Sequence, residues 1–429
     1  MTSVVATAVV AALLVGCSTS ADSTPASGPE DSRTSPADET LTADPPHATA
    51  DPPHATADPL EATADPPHAT ADPLEANEVA TGPDHEWSSL DGHPGLIATQ
   101  MQPSSVAPNS WNGILRINCD LSHTSYDDPV VFPGEQGAAH LHRFYGNPDV
   151  DHTTTPASLV EADGSTCQGG ALNLSSYWMP ALLTPTGTGE SWDVVPAVVG
   201  GDDEAHEVFY YSAGITDVSS VQPIPEGLVM VAGDASATPD DPQDTGVVRW
   251  HCQSWQSDDA SNPRFSATTP DCTAPDRVRL DLFFPSCWDG EHLDSADHAS
   301  HMAYPVTEGR ISSCPDTHPV AVVRVSYHMA FGVKPDVWDP STRSSVGWQL
   351  SSDRYVVDEN NPGGASAHAD WMNGWHPEVM QMIVDGCIAG ELDCHDGNLG
   401  NGLRLSGVSD GTGATPDVVA PGADHERHG

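Results

Sequence analysis

Three short histidine motifs hold the side chains best suited to chemistry. In Ala139-His140-Leu141-His142-Arg143-Phe144-Tyr145-Gly146-Asn147 two histidines stand two residues apart. On an extended chain that spacing sends both imidazoles to one face, where they can chelate one metal or grip one substrate. The segment from Cys287-Trp288-Asp289-Gly290 through Asp294, Asp297, His298, Ser300 and His301 is dense in groups that take cations, sugars or protons. Ala367-His368-Ala369-Asp370-Trp371 again spaces a histidine and a carboxylate by two.

If the motifs converge, His140, His142, His301, His368 and Asp370 form a catalytic cluster of imidazole and carboxylate donors. His140, His142 and His301 are then the expected metal ligands, for zinc, copper or calcium. Without a metal the same set suits general acid and base work near neutral pH, with Tyr145 or Tyr177 as a second proton carrier. Arg143 suits a carboxylate or oxyanion, and Asn147, Tyr177, Trp178, Trp288 and Asp289 are the expected substrate contacts, since aromatic faces stack on sugar rings. A purely structural role, histidines closing turns, stays open beside these. No G-x-S-x-G elbow supports a nucleophilic serine.

Short runs rich in Val, Ile, Tyr and Trp, separated by Gly, Pro, Asn and Asp, must position these groups. Strands are expected at 111–118, 138–144, 194–199, 208–211, 227–232, 246–252, 278–284, 319–330 and 348–357, and one helix at 375–386. The expected fold is mostly β: a single large β-sandwich-like domain over 81–410, with long disulfide-closed loops. Eight cysteines fall in it, and neighbour pairing joins Cys119 to Cys167, Cys252 to Cys272, Cys287 to Cys314 and Cys387 to Cys394.

The rest of the chain reads differently. Residues 1–16 form an apolar signal of export length ending at Leu14-Val15-Gly16-Cys17, which resembles a bacterial lipobox with Cys17 as the acylated residue. That resemblance implies an extracellular protein held on the outer face of the membrane by lipid alone. Residues 17–80 are a disordered spacer of seven-residue units such as Ala43-Asp44-Pro45-Pro46-His47-Ala48-Thr49, with proline in each unit excluding helix. Residues 411–429 form a disordered tail. With 62 acidic against 14 basic residues, a net charge of -48, nucleic acid is excluded as a partner. Such acidity also disfavours a strongly anionic ligand unless a local basic cluster or a bound cation receives it.

HLHRFYGN, STCQGG with LNLSSYWMPALL, FPSCWDG with LDSADHASHMAYP, CPDTHPV and HADWMNGW occur in an order that resembles the domain of unknown function family numbered nineteen ninety-six, of secreted fungal and actinobacterial proteins. The likeness spans about residues 93 to 395. It singles out His140, His142, Asn147, Tyr177, Trp178, Trp288, Asp289, His298, His301, His318, His368 and Asp370. It implies an extracellular polysaccharide or cell wall as partner, acted on by a hydrolase or lyase or simply bound, and assigns no role to any residue.

Overall fold

The computed structural model describes residues 82–105, 113–186, 191–196, 206–253, 265–333, 344–358 and 360–407, all in the unit Ala69–Gly429. The export signal, Cys17, the spacer repeats and the tail lie outside the described residues. The main sheet has eleven strands, and nine form its continuous path: β1 (Ile114–Ser125), β2 (His142–Gly146), β3 (Ser176–Pro180), β4 (His206–Ser212), β5 (Val229–Gly233), β6 (Val248–Cys252), β7 (Arg277–Phe283), β8 (Arg324–Gly332) and β9 (His368–Met372). Their order is β6-β7-β8-β4-β1-β2-β3-β9-β5, with every neighbouring pair antiparallel. The sheet curls until β7 touches β5, so one sheet, close to a barrel, wraps a single core. The fold is mostly β, as the residue pattern requires, and its facing layers are two parts of that curled sheet.

Strict alternation sets the two faces. Val278, Leu280 and Leu282 of β7 and Val325, Tyr327, Met329 and Phe331 of β8 point inward, joining Leu115, Ile117, Phe209, Tyr211, Tyr177 and Trp371. The polar ends of the buried aromatics find partners there, as burial demands. Tyr177 and Tyr211 share a 2.5 Å hydroxyl contact, Trp375 Nε1 donates to Tyr211 at 2.9 Å, and Tyr327 donates to the Asp370 carbonyl at 2.6 Å. A smaller apolar cluster forms outside the sheet, where Val130, Val150 and Leu159 cover Phe144, Trp178, Val229 and Met372. This cover buries an outward-facing part of the sheet.

All four disulfides follow the neighbour pairing. Three local expectations change. The run at 348–357 keeps only the two-residue strand Gln349–Leu350, and the strand near 194 ends at Val194 instead of starting there. The expected helix is Pro377–Met382, capped by His376 accepting from the Glu378 amide, and continues as a π-helical turn, Ile383–Ile388. No described helix is long and apolar enough to cross a membrane.

Candidate metal centre

The centre is assembled on the outer face of β2, β3, β9 and β5. Alternation sends His142 and Phe144 outward from β2, and His368, Asp370 and Met372 outward from β9, while Tyr145 and Trp371 enter the main core. Register then places Asp370 opposite Trp178 and His142 opposite Pro180 on β3. His140 enters just before β2. The ring centres of His140 and His142 lie 4.2 Å apart, those of His140 and His368 4.9 Å, and those of His142 and His368 6.0 Å. Ligand atoms of these three histidines all fall within 4.8 Å of one another, and so do those of Asp128, His142 and Asp370.

Backbone carbonyls orient two of the rings. His142 Nδ1 lies 3.1 Å from the Asp127 carbonyl and His368 Nδ1 2.8 Å from the Ser366 carbonyl. A carbonyl only accepts, so each Nδ1 carries the proton and each Nε2 presents a lone pair. Nε2 of His142 and of His140 are buried without a hydrogen-bond partner, and so are both carboxylate oxygens of Asp370. Buried polar atoms are rarely left so, and four together mark a place for a ligand. The approach to β9 is held firmly: Asp353 accepts from the Gly364 and Ser366 amides, and Gln243 donates to the Ala365 and Ala367 carbonyls. Gly233 sits opposite at φ +85°, where a Cβ would meet the Ala367 carbonyl at 2.4 Å, so no larger residue fits.

Burial dominates the electrostatics. It pushes His142 and His368 down to about 4, with the neighbouring His142 charge adding to the effect on His368. His140 is lowered as well, by burial and then by His142, His368 and Arg354. Asp370 is pushed well above the usual carboxylate range by burial and by Asp128, and burial also raises Asp128. Burial therefore disfavours charge throughout the centre: the imidazoles are neutral at neutral pH, and both carboxyl groups are shifted toward their protonated forms.

Of the expected catalytic residues, the structure brings His140, His142, His368 and Asp370 together. His301 does not join them, which corrects its expected ligand role. Its Nε2 lies 2.8 Å from the Val229 carbonyl and its Nδ1 2.9 Å from Ser295 Oγ, so both ring nitrogens are in use. Asp128, absent from the expected set, takes its place; its Oδ1 accepts from the Val130 and Val131 amides at the start of the covering loop. An Asp-Asp-Pro turn was the available signal.

The expected substrate contacts are scattered. Arg143 is buried and donates to the Val195 carbonyl, Asn147 donates to the Leu159 carbonyl, and Tyr177 belongs to the main core. Trp178 lies beside the centre but is fully enclosed, stacked on Phe144. Trp288 donates to the His292 carbonyl, and Asp289 accepts from His292 in a surface turn. Of the three aromatic residues among these six, Tyr177 and Trp178 are enclosed and Trp288 is partly exposed. His298 pairs with Asp294 and is raised mainly by that bond, with burial opposing and Asp128 adding, which puts its loop at the edge of the centre. His318 ties to the Ser300 carbonyl.

A histidine-carboxylate centre on the outer face of a nearly closed antiparallel sheet is thus the defining feature of the described residues. The chain belongs to the family described as domain of unknown function (DUF1996), whose model matches residues 128–375. That span starts at Asp128 and encloses every residue of the centre. No curated protein and no solved structure matches the chain.

Proposed function

We propose that this is an exported, lipid-anchored cell-surface protein whose His140, His142 and His368 hold one divalent transition metal, zinc or copper, beside Asp128 and Asp370, and that the centre acts on an extracellular polysaccharide. The observation that carries the metal is the convergence of three histidines, with Nε2 of His140 and His142 buried without partners and Nε2 of His142 and His368 left proton-free by carbonyls at Nδ1. All-oxygen calcium coordination fits less well, because three of the five donors are nitrogen. When bound, such a metal supplies Lewis acidity for hydrolysis or β-elimination. The protein's own share is to fix the imidazoles through the Asp127 and Ser366 carbonyls and to keep the Asp128 and Asp370 carboxyl groups, both raised by burial, next to them.

Four disulfides suit an oxidising compartment, and the lipobox-like Cys17 with its proline-rich spacer suits a domain held away from a membrane. One observation favours a second reading, a non-catalytic wall-binding lipoprotein with a structural metal. His142, His368 and Asp370 are almost wholly enclosed, and only His140 of the three histidines is partly exposed. Oligosaccharide release from wall polysaccharides, compared between the metal-loaded chain and a His140→Ala, His142→Ala variant, separates the two. Products from the wild type alone support the enzyme; polysaccharide retention without products supports the binder.

A further inference from the structure

The outer face of the sheet carries a second polar assembly, on β6, β7, β8, β4 and β1. Register puts Arg249 of β6, Arg277 and Arg279 of β7, Arg324 of β8 and Arg116 of β1 on this one face, opposite to the core. Five of the chain's 14 basic residues therefore share one face of a protein with net charge -48. From β6 to β1 the row crosses four inter-strand steps, about 19 Å at the usual strand spacing.

The assembly is built, not incidental. Arg249 Nε lies 3.1 Å and Arg279 Nη2 3.6 Å from the buried Asp281 carboxylate. The Arg249 guanidinium sits 4.2 Å from the Phe265 ring centre and 4.7 Å from that of Phe283, and Arg324 lies 5.3 Å from the same Phe283 ring. Arg249 and Arg279 are still 21% and 25% exposed, and Arg116, paired with Asp396, 27%. A guanidinium stacked on a ring keeps further N–H groups for forked hydrogen bonds. Asp281 also accepts from His328 Nδ1 at 2.8 Å, whose Nε2 contacts Ser326 Oγ at 3.0 Å. That connectivity is the one used by nucleophilic serines, but Ser326 is fully enclosed, so the relay fixes Asp281 instead of attacking a substrate.

We propose that this arginine row binds an anionic glycan, a polymer bearing carboxylates or phosphodiesters along its length. One charged group suits one or two arginines; five on four of five adjacent strands suit a repeating anion. The rings under the guanidiniums hold them in place for the anion. The remaining acidic surface repels a polyanion, so binding is confined to this face and weakens with salt.

The test is equilibrium binding of the full chain to polygalacturonate, poly(glycerol phosphate) and a neutral β-glucan, at low and high salt. Retention of either anionic polymer, lost in high salt and weakened about tenfold or more in Arg249→Gln, Arg279→Gln, is the expected result. The polymer retained identifies carboxylate or phosphate as the anion. Arg277→Gln, which enters no ion pair among the described residues, should weaken binding without lowering the melting temperature. Binding to neither polyanion, equal binding to the neutral glucan, or no effect of both arginine variants overturns the proposal.

Discussion

Two buried aspartates on the same outer sheet face have opposite surroundings. Asp281, on β7, meets His328, His251, Arg249 and Arg279, and although burial opposes ionisation, the His328 charge and the bonds from both histidines hold it well below the usual range. Asp370, on β9, has no hydrogen bond to either oxygen, and burial drives it well above that range. The fold satisfies the first carboxylate internally. It leaves the second, with the imidazoles beside it, for something the chain does not contain. A charged group inside a protein is therefore informative less for being buried than for whether its partners are already present.

The largest effect should come from breaking the satisfied end. Asp281→Asn leaves two arginines and two histidines around an uncharged amide and should cost about 3 kcal/mol in chemical denaturation. The histidine end should lose function instead: His142→Ala should weaken metal binding at least about 100-fold by calorimetry, the upper range for losing even an outer partner. A smaller effect concerns pH in the metal-free chain. His142 and His368 sit near 4 when folded against an ordinary value of 6.5, so the unfolded chain binds more protons in between. Their contribution is full above 6.5 and is lost as pH falls through about 4, and a His142→Ala, His368→Ala variant should flatten that slope. Smallest is Asp370→Asn, which replaces an unpartnered group that burial already shifts toward its neutral form and should change metal-free stability by less than about 1 kcal/mol. Equal costs for Asp281→Asn and Asp370→Asn would erase the contrast.

Period-two spacing made His140, His142, His368 and Asp370 legible in the sequence, because such pairs must share a face wherever the chain is extended. The strands carrying Trp178 and Asp370 are not legible as strands in the residue pattern. Ser176–Pro180 ends in proline, and His368–Met372 places polar groups on a face that only the covering loop buries. Asp128 was missed because its role depends on that loop folding back over β2. His301 looked equivalent to its neighbours until the Val229 carbonyl, 72 residues away in sequence, claimed its Nε2. Neighbour pairing of the cysteines was legible because each pair closes a local loop. The arginine row was not, since Arg116 and Arg324 meet on one face only through the order of the strands.

Metal content of the purified full chain, after dialysis against zinc and separately against copper, tests the central claim most directly. One equivalent per chain in the wild type, absent from His142→Ala at unchanged melting temperature before loading, is the predicted result. No retained metal, or equal retention by both proteins, would contradict it.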